Sequence, residues 1–370
     1  MALKGFTPEV EAAFKEALAL TEKQGELPQL FPVLRGLSTY YQFRMEFDKS
    51  FELGERILAL AESKDDDLMR IHAYLLIGSN VGLISGLDQE LAWLEQGIAL
   101  FDPDRQRLQP FQVGNNPGIV CYTASAIYLW WQGFANQAFA RAQKAFDIAT
   151  RLEHPYTMAY ACFHTGVLYL WSGEMQQARS RAITMREIAA EQEYHLWYAM
   201  ATILLGAAES GLGAAEAGLA RLEEGFAAYM GHISPPVFWP MITTIRAAAH
   251  GRAGKAAEGL NMLDDLLQDG QQLPDILILK GELLLQESPS NTAAATKLFR
   301  EGLELAQMMG YKIFVLRAVS RLAELEVEEG KAGENGRLLA DLYDSFTEGF
   351  ETRDLQEARS VLERWRELTD

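Results

Sequence analysis

The stretch His154–Glu191, HPYTMAYACFHTGVLYLWSGEMQQARSRAITMREIAAE, predicts two amphipathic helices joined by a tight turn. Gly166 and Ala178 carry little side-chain bulk, so the two helices can approach each other closely. Gly173 allows the backbone to reverse after the first helix. Because a single two-helix unit cannot bury its apolar faces alone, we expect similar units on both sides of it.

Two series of small residues extend this pattern along the chain. The first series, at the predicted turns and spaced 40, 40 and 41 residues apart, comprises Gly133, Gly173, Gly213 and Gly254. The second series, on the predicted second helices, comprises Ala138, Ala178, Gly218 and Gly259. The shared spacing predicts a helical repeat with a period of about 40 residues.

The sequence predicts an all-α fold, a right-handed α-solenoid of about eight TPR-like helical hairpins. The predicted hairpins are Leu27–Ser63, Asp67–Phe101, Ile119–Leu152, Pro155–Glu191, Tyr194–Met230, Pro235–Asp269, Leu273–Met309 and Tyr311–Phe346. We assign residues 1–370 to a single superhelical domain. Its parts are a half repeat (1–25), two repeats (27–101), an irregular insertion (102–118), six repeats (119–346) and a C-terminal capping helix (347–370).

The first helix, Glu9–Gln24, resembles the second helix of a repeat and has no predicted partner before it. We therefore expect that the chain was cut from a longer one. The segment Ile276–Leu279 is β-branched and apolar, but it continues at helical spacing and is predicted to be helical.

The overall charge restricts the classes of partner. The chain has 370 residues, 49% of them hydrophobic, and a net charge of −18. Phosphate recognition requires a Lys- and Arg-rich surface, so we expect neither nucleic acid nor an anionic membrane as a partner. No apolar run approaches the length of a spanning helix, and no signal peptide is visible, so we predict a cytoplasmic protein.

Cys121 and Cys162 lie on apolar helical stretches and are predicted to be buried free thiols.

Motifs for catalysis or cofactor binding are missing from the sequence. It contains no GxxxxGK[ST] phosphate loop, no HExxH zinc motif and no GxSxG nucleophile elbow. We therefore predict no catalytic residue, no cofactor and no metal. An α/α-type enzyme remains the less favoured alternative, because α/α toroids are also built from helical hairpins and carboxylates are abundant here.

The insertion at 102–118 contains three prolines and two glycines, which forbid a continuous helix. Long loops in repeat arrays are often functional. Candidate donors for an anionic ligand in this segment are Arg105, Arg107, Gln109, Asn115 and Asn116. The alternative is a rigid spacer in which the asparagines cap the helix that begins at Ile119.

Aromatic residues recur through the predicted repeats. Trp130 and Trp171 occupy equivalent places near the ends of first helices. They pack between repeats or offer aromatic faces to a peptide or small ligand. His164 is interpreted as a packing residue or a groove residue.

Several segments together resemble a known family. They are GIALFDPDR (Gly97–Arg105), GNNPGIVCY (Gly114–Tyr122), GFANQA (Gly133–Ala138), LEHPYTMAYA (Leu152–Ala161), LKGELLLQ (Leu279–Gln286) and FTEGFETRDLQEARSVL (Phe346–Leu362). In this order they resemble the C-terminal tetratricopeptide-like region of large bacterial signalling proteins. Those proteins join a class III adenylate/guanylate cyclase domain, or sometimes a kinase or DNA-binding domain, to a STAND-type P-loop ATPase.

The resemblance implies a solenoid that senses a ligand or partner and controls an attached ATPase or cyclase. This chain departs from the family because the cyclase and ATPase domains are absent and Asn116 stands where an acidic residue is common. We expect a non-catalytic sensor or interaction domain that binds a peptide, a protein or a small effector in its concave groove. The partner would be a fused or separate STAND ATPase or cyclase. The alternative is a free-standing TPR scaffold for protein complexes.

Overall fold

The computed structural model describes residues 8–24, 27–44, 46–107, 116–230 and 239–368. These residues form nineteen α-helices and one short 3₁₀ helix, Pro289–Asn291. The α-helices are α1 (Pro8–Gln24), α2 (Leu27–Phe43), α3 (Phe47–Lys64), α4 (Asp67–Ser85), α5 (Leu87–Leu100), α6 (Pro103–Arg107), α7 (Pro117–Trp131), α8 (Ala135–Leu152), α9 (Pro155–Trp171), α10 (Met175–Glu191), α11 (His195–Gly211), α12 (Ala215–Met230), α13 (Trp239–Arg252), α14 (Ala256–Gln268), α15 (Pro274–Glu287), α16 (Thr292–Met309), α17 (Lys312–Glu328), α18 (Glu334–Asp344) and α19 (Arg353–Glu367).

The predicted all-α class and the hairpin architecture of an α-solenoid are confirmed for these residues. The pairs α2/α3 and α4/α5, the six pairs from α7/α8 to α17/α18, and the closing helix α19 match the predicted hairpins and capping helix. The predicted start of one hairpin at Pro235 falls outside the described residues. Helix α7 begins at Pro117 rather than at Ile119, because proline is well tolerated in the first turn of a helix.

Glycine forms the hairpin turns, as the spacing predicts. Gly133 and Gly173 have φ of 90° and 86°, a region that residues with a Cβ rarely adopt. After α9 the backbone N–H of Glu174 donates to the carbonyl of Tyr169 at 2.8 Å, which satisfies a free carbonyl at the helix end. The left-handed glycine therefore closes α9 and directs the chain into α10.

The second series of small residues lies where helices touch. Ala138 and Ala178 are fully buried on α8 and α10. A Cβ built on Gly218 would lie 2.4 Å from the backbone nitrogen of Ser210, which is closer than van der Waals contact allows. Helices α11 and α12 therefore pack backbone against backbone, and only glycine fits at this crossing.

The insertion begins with the short helix α6 (Pro103–Arg107), which is compatible with the expectation that no continuous helix spans 102–118. Asp102 accepts hydrogen bonds at its Oδ1 from the backbone N–H groups of Asp104 (3.0 Å) and Arg105 (3.2 Å). This carboxylate cap and Pro103 in the first turn start α6. Residues 108–115 lie outside the described part of the chain.

The chain divides into two compact units, each with its own contacts. Unit 1 comprises residues 1–128, 141–161 and 230–237, and unit 2 comprises residues 129–140, 162–229 and 238–370. In unit 1, Leu94 and Ile119 are fully buried in a cluster with Ile148. The assignment of residues 1–370 to one domain stays a prediction.

Unit 2 contains a contact between parts of the chain that are far apart in sequence. The α7–α8 turn lies against the segment that precedes α19: Gly133 packs on the ring of Phe346, and the backbone N–H of Gln137 donates to Glu348 Oε1 at 3.1 Å. Gly173 packs on the side chain of Arg353. These contacts bring the turn before α10 and the start of α19 together.

Candidate functional site

A cavity of about 170 Å³ lies in unit 2 where these segments meet. It is bordered by the end of α9, the start of α10, and by α13, α15, α17 and α19. Its apolar wall includes Leu170, Trp171, Ile245, Ile278 and Phe314. Its charged wall has four arginines and four carboxylates, namely Arg252, Arg317, Arg321, Arg353, Asp275, Glu282, Asp354 and Glu357. We call this space the unit 2 cavity.

Arg317 joins three parts of the unit 2 cavity wall. Its Nε donates to Asp354 Oδ1 at 2.6 Å, and one Nη donates both to Asp354 Oδ2 at 3.0 Å and to the Trp171 carbonyl at 2.6 Å. Burial alone would lower the pKa of the guanidinium, but the adjacent Asp354 outweighs burial and the pKa is raised. A two-pronged charged pair of this kind fixes α9, α17 and α19 in one arrangement.

Stacked aromatic rings support this arginine. Trp130 is fully buried, and its ring stacks on that of Trp171 with centroids 6.2 Å apart. Phe314 meets Trp130 edge-on at 5.9 Å. The Arg317 guanidinium carbon lies 5.2 Å from the centroid of the Trp130 ring, within the range of a cation–π contact. The aromatic rings and the ion pair therefore hold the guanidinium rigidly.

Arg321, one helical turn after Arg317, binds several carboxylates. It contacts Glu282 at 2.8 Å, Glu324 at 2.9 Å and Glu357 at 3.6 Å. Although burial opposes the charge, the three carboxylates raise its pKa. Arg321 thereby links α15 to α17 and α19.

Three groups of the unit 2 cavity are not used by these networks. Arg252 forms no ion pair or hydrogen bond with any residue that the structure describes. Desolvation of its guanidinium and repulsion by Arg353 lower its pKa, although Glu282 attracts it. Asp275 has no ion-pair partner among the described residues, and desolvation raises its pKa although backbone N–H groups of its own helix and the charge of Arg317 oppose this. Among the same residues the buried hydroxyl of Ser320 finds no hydrogen-bond partner. An unpaired cation, an unpaired carboxyl group and an unsatisfied hydroxyl are features of a binding site rather than of a closed core.

Among the predicted site residues that the structure describes, Trp171 lines the unit 2 cavity, and Trp130 packs directly behind it. His164 lies on α9 outside the cavity. Its ring packs edge-on against Phe163 with centroids 5.2 Å apart, and desolvation lowers its pKa to about 4, so it is neutral at physiological pH.

The predicted residues of the insertion belong to unit 1. Arg105 is exposed and pairs with Asp67 at 3.2 Å, beside a smaller cavity of about 140 Å³ that Asp65 and Asp66 also line. Asn116 is fully buried, and its Oδ1 accepts a hydrogen bond from the backbone N–H of Ile119 at 3.1 Å. This bond has the geometry of a helix cap for α7. The side chain of Arg107, together with Gln109 and Asn115, lies outside the described residues.

The charged residues of the unit 2 cavity were not identified from sequence. Arg317 and Arg321 are four residues apart, a spacing that places both on one face of α17. Asp354 lies in the predicted C-terminal capping helix (347–370). The sequence pattern of that helix gives no signal that Asp354 faces inward.

Other chemistries find no support in the described part of the chain. There, no group of three or more His, Cys, Asp or Glu side chains is placed to hold a metal ion. None of the described helices combines the length and the apolar character needed to cross a membrane. Cys121 and Cys162 are buried free thiols, as predicted, and burial raises the pKa of each to about 12.

No protein-family model matches the sequence, and no curated protein matches it. Similar solved structures include a tetratricopeptide repeat protein from Parabacteroides merdae, with 13% identity and a TM-score of 0.42 over 74% of this chain and 93% of that chain. They also include yeast Tom70, with 10% identity and a TM-score of 0.45 over 98% of this chain and 90% of that chain.

Proposed function

We propose that the chain is a non-catalytic sensor or interaction domain that binds a peptide, a protein segment or a small effector in the unit 2 cavity. One observation carries this proposal: the cavity wall combines residues distant in sequence, Trp171, Asp275 and Asp354, with the buried Ser320 hydroxyl, which has no hydrogen-bond partner among the described residues. Its volume is about 170 Å³, and a second cavity of about 340 Å³ shares Ala248, Arg252 and Arg321 with it, so the two together lie within the roughly 300–1,000 Å³ of sites for small ligands. The occupant is therefore a small molecule or a few residues of a peptide.

A ligand in this cavity would regulate by stabilising one arrangement of its walls. It would contact α9, α15 and α19 together and favour the arrangement in which Arg317 bridges Trp171 and Asp354. Such a preference shifts a conformational equilibrium by the difference in affinity between the two states. The sequence resemblance supports a fused or partner STAND ATPase or cyclase as the regulated component.

The alternative function is a free-standing scaffold for protein complexes. Stacked helical hairpins expose extended surfaces suited to protein partners, which favours this alternative. A scaffold would bind macromolecules in a pull-down experiment and would not respond to small-molecule or peptide fractions.

The experiment is a thermal melt of the full chain with fractions of a cell extract that contain peptides and small metabolites. We expect one fraction to raise Tm, because ligand that binds only the folded state stabilises it. Ala248 lines the cavity, so Ala248→Trp should fill it and abolish the rise. Ala227→Trp, at an exposed position of α12, is the matched control and should keep the rise. A rise of equal size in both variants would contradict the cavity as the binding site.

The insertion is retained as a hypothesis for a second contact with an anionic ligand. Arg105→Ala, combined with Asn115→Ala, should then weaken binding of the active fraction without changing the stability of the free protein. Unchanged affinity would eliminate the insertion as a site.

A further inference from the structure

The charges of the unit 2 cavity cancel in pairs, with two exceptions. Arg317 pairs with Asp354, Arg321 with Glu282, and Arg353 with Glu357 at 2.6 Å. Arg252 and Asp275 form no such ion pair among the described residues: Glu282 attracts Arg252 only through space, and Asp275 has only Arg317 at a distance and backbone N–H groups of its own helix. A ligand that satisfies both carries one positive and one negative group, so it is a zwitterion.

The two unpaired groups lie toward opposite ends of α15. Asp275 is in the first turn of this helix. Arg252 follows Gly251, and a Cβ on Gly251 would lie 2.4 Å from Leu283 Cδ2 and 3.0 Å from Gln286 Oε1, near the end of the helix. Asp275 is therefore eight to eleven residues of α15 away from Leu283 and Gln286, the residues that Gly251 contacts. This is about 12–16 Å along the helix axis at 1.5 Å per residue.

This separation is too long for a free amino acid and suits a short peptide. An extended chain covers about 3.3–3.6 Å per residue, so three or four residues span this axial separation. The amino terminus supplies the positive group and the terminal carboxylate supplies the negative group.

Ser320 lies on α17 and lines the same cavity. The residue is 7% exposed, and its Oγ has no hydrogen-bond partner among the residues that the structure describes. A buried hydroxyl that lacks a partner loses free energy, and a peptide backbone offers both the donor and the acceptor that it needs. This unsatisfied hydroxyl is a second indication of a polar ligand, independent of the charges.

We propose that the unit 2 cavity binds a linear peptide of three or four residues with both termini free. Its ammonium group binds Asp275, its carboxylate binds Arg252, and its backbone bonds to the Ser320 hydroxyl. The apolar wall at Ile278 and Phe314 receives a central side chain. This inference rests on the proposed function and specifies the ligand of the same cavity.

The test is an affinity measurement on the full chain with a tripeptide library that has free termini. The same library with acetylated amino termini, and again with amidated carboxyl termini, provides the matched probes. Bound members are identified by mass spectrometry, and their dissociation constants are then measured individually. We expect binding from the free library and a loss of roughly 10- to 100-fold on blocking either terminus, the effect of one charge-assisted hydrogen bond.

Variants assign each terminus to a residue. Asp275→Asn should remove the preference for a free amino terminus, and Arg252→Gln should remove the preference for a free carboxylate. Ser320→Ala should weaken both blocked and free peptides equally. Asp265→Asn, Arg300→Gln and Ser210→Ala are controls outside the cavity, and each should leave affinity unchanged. Ser210 is a suitable control because its buried hydroxyl also lacks a partner.

The outcomes separate this inference from the proposed function. If blocked and free libraries bind equally in the cavity, terminal recognition is overturned while the cavity remains a binding site. If acetate or inorganic phosphate displaces the peptide and binds through Arg252 alone, the site is an anion site and the inference is overturned. If no library member binds but an extract fraction still raises Tm in an Ala248-dependent way, the peptide inference fails and the proposed function stands. If nothing binds in the cavity, both fail.

Discussion

At the scale of single residues, Arg317 is the residue of the unit 2 cavity that we expect to contribute most to stability. Asp354 is 7% exposed and has Arg317 as its ion-pair partner. Removing one member of a buried pair leaves the other charge desolvated and typically costs about 3–5 kcal/mol. We predict that Arg317→Met destabilises unit 2 by an amount of this order in urea denaturation.

The double variant Arg317→Met/Asp354→Leu tests the physical reason for that loss. Since both charges are removed, we expect much of the stability to return, as replacement of buried pairs by apolar residues is often tolerated. Equal destabilisation of the single and double variants would show that the hydrogen bond to the Trp171 carbonyl, rather than the charge, dominates.

Glu90 in unit 1 predicts a dependence of stability on pH. It is buried and accepts a hydrogen bond from the Tyr128 hydroxyl, and desolvation raises its pKa from 4.5 to about 7. The folded state therefore holds this proton more tightly than the unfolded state does. The resulting stabilisation is present below about pH 4.5 and is lost as the pH rises through 7.

Glu90→Gln removes this titration while keeping an oxygen that can accept from Tyr128. Between pH 4.5 and pH 8, the free energy of unfolding of the variant relative to wild type should rise by up to about 3 kcal/mol. Chemical denaturation at both pH values measures the gain. Glu52→Gln, at an exposed position of α3, should give no such gain, and a pH-independent effect of Glu90→Gln would refute the argument.

At the scale of helices, close packing at glycine is the critical feature. Gly206 and Gly218 face each other across α11 and α12, and a Cβ on either would lie within 2.6 Å of backbone atoms of the other helix. Gly218→Ala should cost about 1–3 kcal/mol or more, since neighbouring backbone cannot move aside. Gly302→Ala is the comparison, because its Cβ would meet the Ile278 side chain at 3.1 Å and helix propensity favours alanine. If the two variants lose the same amount of stability in thermal melts, contact with backbone atoms does not determine the cost of the substitution.

Helices were predictable from sequence because their signals are local. The period of the turn glycines and the small residues at helix crossings follow directly from backbone sterics, and both appear in the structure as expected. Trp171 was singled out for the same reason, as an aromatic residue at a fixed place in a repeat. The 102–118 insertion was less predictable, because the carboxylate of Asp102 caps a short helix that the sequence pattern did not indicate.

The charged part of the cavity could not be predicted, because it depends on contacts that are distant in sequence. Arg317 reaches Asp354 across 37 positions and the Trp171 carbonyl across 146 positions. The helical periodicity of a sequence carries no information about contacts over such separations. A charged residue on a capping helix has the same local pattern whether it faces water or a partner, so Asp354 was indistinguishable from its exposed neighbours.

At the scale of the whole molecule, the two units differ in what they offer a ligand. The cavity of unit 1 is lined mainly by acidic and other polar groups, and Arg105 there is already paired. The unit 2 cavity combines apolar walls with Arg252 and Asp275, which form no ion pair among the described residues. We therefore propose unit 2 as the place of ligand binding, and we expect substitutions in the unit 1 cavity, such as Asp66→Asn, to leave affinity unchanged in the same binding assay.

Hydrogen–deuterium exchange of the full chain, with and without the extract fraction that raises Tm, tests the central claim most directly. The account predicts simultaneous protection of three separated segments: the end of α9, the start of α15 and the start of α19. All three segments line the unit 2 cavity. Protection confined to α1–α5, or no change in any of the three segments, would contradict the assignment of this cavity as the binding site.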